Sequence, residues 1–553
     1  MRLQALLSLV PFYILYSSIP AVLAQAQNLI LDAETDAFIN NVLADWKSPG
    51  GAAVAFVMKN DRNEWVDIEY KGYGRATESG TKMTEKTTFN VGSNSKHFTV
   101  LATSLLINNA SLTPRLTWDT KVKSVIPEFN LTDPVATREA TLLDLMTHRT
   151  GYPLHDFAYR YTDTASDAIR KLQYHRQSAE FRDIWQYNNN MYITLSRLPE
   201  ILTGKPFARY VKDNIFTPLG MNWTTYSYQL ANSEGQRADG MTREGLDVYT
   251  DPFAGTPRAT KYWTSMTGGE DGSVLAAAGG VITNAIDMAT WMQTLLLNGA
   301  KPGTNQSVIP PSGLRRAATA LSVQTGMPRL PNDNFGVSVL TNDHEYGKVI
   351  GEIIKAHIID KALKLQPIDW NSRYKAQKSI TPVRATPRPA NPAPPALDFP
   401  QIAGKYNNNG YGQIEFCQVQ PVNPSASASC TALASNITTI LPGSVRPGIP
   451  TLFAEVNSPW FSHIRLEHFN ANWFNISLLI STATNDSAKP YWTFNDKSSS
   501  DNSITAELNV EGNTTGLGFA GFWGGLWDGA EAGVPKPQGP TVRDRAEVYW
   551  DKL

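Results

Sequence analysis

A proline-rich stretch near residue 390 constrains the fold of this 553-residue chain more than any other feature. Six prolines lie between Thr381 and Pro400, at positions 382, 387, 389, 392, 394 and 395. Because proline has a fixed φ angle and no backbone N–H, such a run favours an extended linker over a helix or a central strand. We therefore predict a linker over residues 367–399, between a large domain over residues 29–366 and a smaller one over residues 400–553.

The large domain has the pattern of an α/β (α+β) fold. Apolar runs predict strands at Ala52–Val57, Trp65–Tyr73 and Phe335–Leu340. Helical periodicity dominates from Lys96 to about Met292 and returns at Val349–Leu365. Strands near both ends of a helical middle predict one domain that is closed by its own terminal segments.

The smaller domain has the pattern of an all-β fold. Short β-rich runs such as Trp473–Ile480 and Ile504–Val510 alternate with turns that contain Gly, Asn and Ser. This alternation predicts a small barrel or sandwich of about 150 residues.

The composition excludes several classes of function. The chain is 42% hydrophobic and 18% charged, as is typical of a folded protein. Its 49 Lys and Arg residues nearly equal its 50 Asp and Glu residues, so no net charge favours nucleic acid or an anionic membrane as a partner. The two cysteines and eight histidines show no zinc-binding spacing, and we predict no metal and no other cofactor.

The N-terminus predicts a secreted protein. An apolar run from Ala5 to Leu23 follows Met1-Arg2 and ends in small residues of the kind that a signal peptidase needs. We predict a signal peptide over residues 1–24, the alternative being an N-terminal membrane anchor, and no membrane contact after cleavage. Eight glycosylation sequons agree with passage through a secretory pathway: Asn109, Asn130, Asn222, Asn305, Asn436, Asn475, Asn485 and Asn513.

Cys417 and Cys430 are the only cysteines in the sequence. In an oxidising compartment they would close a short loop, so we predict a disulfide between them. The alternative is a pair of buried free thiols.

A Ser-x-x-Lys tetrad, Ser93 to Lys96, is the main candidate for nucleophilic chemistry. Positions three apart share one face of a helix, so the lysine can reach the serine hydroxyl, and a neutral lysine could remove its proton. Tetrads at Ser79 and Ser372 lie in polar surroundings, whereas Ser93 stands between a strand-like run and an apolar helix. The alternative for Ser93 is an ordinary helix-capping serine.

A Tyr-x-Asn element, Tyr187 to Asn189, is the second candidate. If it faced the Ser/Lys pair, the phenol would relay protons and the amide would hold a substrate carbonyl. The alternative is a surface turn, because the same pattern recurs at Tyr406–Asn408.

Together these elements resemble the serine β-lactamase and penicillin-binding-protein superfamily, in particular its class C β-lactamase, D-aminopeptidase and esterase branch. The resemblance spans most of residues 30–365 and rests on five segments in the family's order: Phe89–Thr99, Leu145–Gly151, Tyr187–Asn189, Pro218–Met221 and Gly279–Asn284. It implies an antiparallel sheet with a helical subdomain. It also implies acyl transfer, with Ser93 as the nucleophile, Lys96 and Tyr187 sharing the general-base work, and Asn189 orienting the substrate.

The family's third motif, Lys-Thr-Gly or His-x-Gly, has no clear match. Gln324-Thr325-Gly326 is the only substitute by pattern, and it is the candidate for the remaining substrate contacts. Members of the family normally have several dozen more residues here, so we predict that a segment is missing near residues 322–331, either by real loss or through a truncated gene model. Losing one oxyanion donor typically costs about 10²–10³ in rate.

The C-terminal region is similar to the lipocalin-like β module that follows the hydrolase domain in many superfamily members. The likeness rests on Ala403-Gly404-Lys405-Tyr406 and Gly410-Tyr411-Gly412.

The sequence therefore predicts a secreted serine hydrolase that acts on a small-molecule or peptide-like acyl substrate, an ester, amide or peptide. The rival hypothesis is a secreted, non-catalytic relative, because the third motif is absent. A structural glycoprotein is the third possibility, and it predicts that Ser93, Lys96 and Tyr187 do not converge. The sequence leaves the oligomeric state open.

Overall fold

The computed structural model describes residues 29–553 except 61, 63, 234–235, 261–267, 305, 322–328, 331–332, 379–385, 423–425, 496–503, 513 and 524–533. The predicted signal peptide lies outside the described residues. Among the helices of the described part, none has the length and apolar character needed to span a bilayer.

A four-stranded antiparallel sheet organises the N-terminal domain, in the order β2-β1-β8-β7. Two short pairs, β3 with β6 and β4 with β5, lie outside it. The strands are β1 Gly51–Lys59, β2 Trp65–Gly74, β3 Phe89–Asn90, β4 Gly240–Glu244, β5 Thr256–Thr260, β6 Ile282–Thr283, β7 Arg329–Leu330 and β8 Phe335–Thr341.

The helices of this domain fall between the strands and after the last one. They are α1 Ala33–Asp45, α2 Lys96–Asn108, α3 Val122–Val125, α4 Pro134–Glu139, α5 Leu142–Met146, α6 Ala165–Lys171, α7 Asn189–Leu195, α8 Arg197–Thr203, α9 Phe207–Val211, α10 Thr217–Leu219, α11 Tyr228–Ser233, α12 Ala276–Gly279, α13 Ala285–Leu296, α14 Pro311–Leu321, α15 Gly347–Ala362 and α16 Trp370–Lys378.

Strand β1 is apolar on both faces because helices cover both. Val54 and Phe56 pack in a cluster with residues of α1 and α15, while Ala55 and Val57 pack in another with residues of α13. A strand buried on both sides has no polar alternation, which explains why its sequence is a continuous apolar run. Strands from both ends of the domain, β1 and β8, pair in this sheet, which is the closure by terminal segments that the sequence predicts.

The segment between α14 and β8 departs from the family pattern. Where a motif strand and its partner are expected, the residues that the structure describes contain a single two-residue strand, β7, paired with the start of β8. Gln324, Thr325 and Gly326 lie outside the described residues, so their predicted role in substrate binding stays a prediction.

The C-terminal domain is a closed antiparallel barrel. Eight strands follow the order β12-β11-β10-β9-β17-β16-β15-β13, and a β12–β13 pairing closes the ring, with β14 added beside β13. Its elements are α17 Phe399–Ile402, β9 Gly404–Asn408, β10 Gly412–Gln420, α18 Ala428–Ile440, β11 Thr451–Glu455, β12 His463–Asn470, β13 Trp473–Ala483, β14 Tyr491–Asn495, β15 Thr505–Glu511, β16 Thr514–Ala520, α19 Val542–Arg545 and β17 Val548–Lys552. The predicted fold class, an α/β domain followed by a small all-β barrel, is confirmed.

Large rings fill the centre of the barrel. Tyr406 lies 5.8 Å from Phe416, and Phe519 lies 6.0 Å from Trp550, between ring centroids. All four side chains are buried. Helix α18 covers part of the outside, where a disulfide joins Cys430 of the helix to Cys417 of β10.

The predicted linker is tied to both domains. Helix α16 lies inside residues 367–399, yet it packs on the N-terminal domain, where Trp46 Nε1 donates to Asn371 Oδ1 at 2.8 Å. Further along, Ala393 N donates to Asn470 Oδ1 in the barrel at 2.8 Å. At the contact between the domains, Phe157 packs against Phe522 with ring centroids 4.7 Å apart. The two domains thus share one continuous apolar core.

Candidate active site

The candidate nucleophile, Ser93, lies in a tight turn between β3 and α2. Gly92 has a φ angle of +51°, which favours glycine over residues with a side chain. Residues Gly92–Ser95 form a single 3₁₀ turn, and α2 begins at Lys96. The turn therefore places Ser93 ahead of the helix N-terminus and one helical turn from Lys96.

Hydrogen bonds fasten this turn to the segment between α12 and β6. Asn90 Nδ2 donates to the carbonyl of Gly279 at 2.9 Å, and the backbone N–H of Val281 donates to Ser95 Oγ at 2.9 Å. The Val91 N–H also donates to the carbonyl of Val281. The Gly279–Asn284 segment, one of the five that resemble the family, thus holds the nucleophile turn in place.

The predicted catalytic side chains converge. Ser93 Oγ lies 3.1 Å from Lys96 Nζ and 2.5 Å from Tyr187 Oη. The serine is partly exposed, whereas Lys96 is only 1% exposed. These distances contradict the structural-glycoprotein hypothesis and the interpretation of Tyr187–Asn189 as a surface turn.

Burial sets the charge of Lys96. Desolvation lowers the pKa of its ammonium group from 10.5 to about 7, against the opposing effect of the nearby Asp156 carboxylate. Nζ also contacts two carbonyl oxygens, Asn189 Oδ1 and the backbone oxygen of Ala278, each at 2.7 Å. A neutral amine has two N–H groups, so these two acceptors leave its lone pair directed at Ser93. This is the geometry that a general base needs.

Tyr187 keeps its proton. Burial raises the pKa of its phenol above the usual 10, so the group donates hydrogen bonds at neutral pH. Its ring packs 4.6 Å from the ring of His148, whose own pKa burial lowers well below 6.5. The backbone N–H of Asn188 donates to His148 Nδ1 at 3.1 Å. A neutral histidine here adds no second positive charge beside Lys96.

The side-chain amide of Asn189 hydrogen-bonds to other residues of the protein through both its oxygen and its nitrogen. Its Nδ2 donates to both carboxylate oxygens of Asp156, at 3.1 and 2.9 Å, which turns its Oδ1 towards Lys96. The amide therefore holds the lysine in this structure, and its predicted contact with substrate stays a prediction. Asp156 is itself buried, and desolvation raises the pKa of its carboxyl to about 6.

An exposed indole marks the mouth of the site. Trp185 is 46% exposed, and its ring centroid lies 6.2 Å from that of Tyr187 and 5.7 Å from that of His148. It offers apolar surface beside Tyr187, the residue whose hydroxyl contacts Ser93.

Sequence reasoning missed Asp156 and Ala278. Both act on Lys96 through contacts that only the fold creates, since Asp156 lies 33 residues from Asn189 and Ala278 lies 182 residues from Lys96. No local motif signals such pairs.

The remaining predicted sites lie away from Ser93 or outside the described residues. Cys417 and Cys430 form a disulfide in the barrel. Among the described residues, these two cysteines and Glu415 form the single group of potential metal ligands. The two sulfurs are bonded to each other, so neither is a free thiolate that could bind a metal. Of the sequons, Asn109, Asn222, Asn436 and Asn485 are exposed, Asn130 and Asn475 are half-buried, and Asn305 and Asn513 lie outside the described residues.

Comparisons with known proteins identify similar sequences. The sequence model of a family described as Beta-lactamase matches residues 37–353. An unguisins hydrolase from Aspergillus campestris (strain IBT 28561) is 28% identical over 433 residues, covering 69% of this chain and 77% of the relative. An unguisins hydrolase from Aspergillus violaceofuscus (strain CBS 115571) is 26% identical over 452 residues, covering 70% of this chain and 76% of the relative.

Among solved structures, the octameric penicillin-binding protein homologue from Pyrococcus abyssi matches with a TM-score of 0.48 and 16% identity. The match covers 88% of this chain and 97% of that chain.

The pKa of Lys96 predicts how the reactivity of Ser93 depends on pH. Because the neutral amine is the base, the rate of Ser93 labelling by a fluorophosphonate should rise about tenfold per pH unit below pH 7 and level off above about pH 8. Labelling followed by in-gel fluorescence gives this profile, and Lys96→Met should abolish it. A rate that does not change from pH 5 to 8, or one whose midpoint lies near 10, contradicts a buried neutral lysine.

Proposed function

Because the chain belongs to the β-lactamase family, we propose that it is a serine hydrolase that forms an acyl-enzyme on Ser93 with an ester, amide or peptide substrate. The observation that carries the proposal is the contact of Ser93 Oγ with a buried lysine amine and a protonated tyrosine. Two relatives that share over two thirds of the chain are hydrolases by name, which supports the reaction class.

Acylation follows from this arrangement. Ser93 Oγ bonds to the substrate carbonyl carbon while its proton passes to Lys96 Nζ, giving an ammonium group and a tetrahedral adduct. When the adduct collapses, the bond from carbon to the leaving nitrogen or oxygen breaks. The proton then passes from Lys96 to the leaving group, with Tyr187 as the relay between them. The products of this step are a free leaving group and an ester of Ser93, with the lysine neutral again.

Deacylation reverses the proton path. A water molecule attacks the Ser93 ester and gives a proton to Lys96. The bond from carbon to Ser93 Oγ then breaks, Lys96 returns the proton to Oγ, and the acyl group leaves as a carboxylic acid. The backbone N–H of Ser93 lies at the helix end, where the helix dipole favours the negative charge that develops on the carbonyl oxygen.

The substrate should have an apolar group next to the scissile bond. Trp185 presents its indole at the mouth of the site, where it can cover such a group. Ester, amide and lactam substrates share the same attack by Ser93, so the reaction chemistry does not choose among them.

Replacement of the nucleophile tests the proposal. We expect Ser93→Ala to lower kcat/KM by about 10³–10⁶-fold on whichever of p-nitrophenyl esters, peptide p-nitroanilides or a chromogenic β-lactam the wild type hydrolyses. Ser79→Ala is the matched control, because this exposed serine begins another Ser-x-x-Lys tetrad and should leave hydrolysis unchanged. If Ser93→Ala retains full activity, the assignment of the nucleophile is wrong.

The rival proposal is a non-catalytic relative, and the lack of a recognised third motif favours it. A folded wild type that hydrolyses none of these substrates and reacts with no fluorophosphonate would support that alternative.

We also propose that the protein is secreted after cleavage at Ala24. The disulfide between Cys417 and Cys430 and the exposed sequons support an oxidising, glycosylating route. Expressed in a eukaryotic host with its own N-terminus, the protein should appear in the medium, begin at Gln25, contain no free thiol and lose mass on treatment with N-glycosidase. Retention in the membrane fraction with residues 1–24 attached would instead establish the anchor alternative.

A further inference from the structure

The turn between β9 and β10 of the barrel inserts into the N-terminal domain. Tyr411, in this turn, is buried, and its hydroxyl donates to His155 Nδ1 at 2.8 Å. Its backbone carbonyl accepts a hydrogen bond from the guanidinium group of Arg160. At Gly410, a Cβ atom would lie 2.7 Å from Cδ2 of His175, so the backbone approaches that ring as closely as glycine allows.

His155 is held in one orientation and one tautomer. Its Nε2–H donates to the carbonyl of Arg176 at 2.9 Å, which leaves the Nδ1 lone pair to accept from Tyr411. The ring stacks on that of His175, with centroids 4.4 Å apart. Burial lowers the pKa of His155 to about 4, so the ring is neutral at neutral pH and the stack has no charge repulsion.

The next residue, Asp156, belongs to the active site. It begins a short 3₁₀ turn, Asp156–Ala158, and its carboxylate accepts hydrogen bonds from Tyr159 Oη and from Asn189 Nδ2. Asn189 in turn accepts from Lys96. An unbroken chain of contacts therefore joins the barrel to the base that activates Ser93.

We propose that Tyr411 of the barrel is a positioning residue of the hydrolase site, acting through His155 and Asp156 on Asn189 and Lys96. This inference rests on the proposed function, and it makes the barrel part of the active site. The hydrogen bond fixes His155, and the adjoining peptide fixes the carboxylate that orients the Asn189 amide.

The proposal can be measured through the pKa of Lys96, which depends on the charges around it. Asp156 is the group whose negative charge raises the pKa of Lys96 against desolvation. The other titratable groups that face these two side chains stay neutral near pH 7: His148, Tyr159, Tyr187 and Tyr192. Around His155 the facing groups are His175, which lies near Lys171, and Tyr411 itself. Displacing or neutralising Asp156 should therefore lower the pH at which Lys96 becomes a base.

The experiment measures Ser93 labelling by a fluorophosphonate from pH 5 to 10 in the full-length protein. We expect Asp156→Asn to move the midpoint to lower pH. Tyr411→Phe should move it in the same direction and slow the plateau rate about tenfold, which corresponds to one buried hydrogen bond. Combined with Asp156→Asn, Tyr411→Phe should cause no further shift of the midpoint, because both changes act through the same carboxylate.

Tyr406→Phe is the matched control. This buried barrel tyrosine donates to the carbonyl of Ile402 at 2.5 Å, within its own domain. The variant should lower the melting temperature while leaving the pH profile unchanged. If Tyr411→Phe lowers only the melting temperature, as this control does, Tyr411 is structural and the proposal is wrong.

The experiment distinguishes failure of the proposed function from failure of this inference. An unlabelled wild type contradicts the proposed function, and this inference with it, whereas a labelled wild type with an unchanged Tyr411→Phe profile contradicts the inference alone. If Tyr411→Phe does not fold, His155→Leu tests the same link, because leucine offers no acceptor for the Tyr411 hydroxyl. That variant should then show a midpoint between those of the wild type and Asp156→Asn, and a midpoint equal to the wild-type value overturns the proposal.

Discussion

The burial of Lys96 beside Ser93 is the interaction on which the rest of the site depends. An exposed lysine would be protonated at neutral pH and could not accept the serine proton. Removal from water lowers the pKa of Lys96, so the neutral amine is populated near neutral pH. The carbonyl oxygens of Asn189 and Ala278 then orient its lone pair towards the Ser93 hydroxyl. Water is excluded from this amine by helix α2, the Tyr187 ring and the segment before β6.

The architecture explains how such a costly arrangement is maintained. The nucleophile turn is joined to its neighbours by backbone and side-chain hydrogen bonds rather than left as a free loop. The barrel contributes as well, because its core continues into that of the first domain and its β9–β10 turn contacts the residue next to Asp156. The described part of the proline-rich connection lies along the barrel, where the N–H groups of Ala393 and Ala396 donate to Asn470 Oδ1 and Asn472 Oδ1.

Local patterns in the sequence were sufficient for the main elements and for part of the site. Ser93 could be distinguished from Ser79 and Ser372 because only its tetrad precedes an apolar helix, and the barrel followed from alternating short runs. The partners of Lys96 could not be identified in this way, since Asp156 and Ala278 reach it only through tertiary packing. The link from Tyr411 to His155 crosses 256 residues and two domains, which no spacing rule describes. The predicted role of Gln324–Gly326 has no structural test, because these residues lie outside the described part of the chain.

The central claim is that burial lowers the pKa of Lys96 to about 7, so that a large fraction of this lysine is a neutral amine at neutral pH. The most direct measurement is an NMR titration of the protein carrying lysine labelled with ¹³C at Cε, with Lys96→Met identifying the resonance. The account predicts one lysine that titrates with a pKa of about 7 and is absent from the variant. If every lysine titrates near the ordinary value of about 10.4, Lys96 is charged when Ser93 would react, and the account is contradicted.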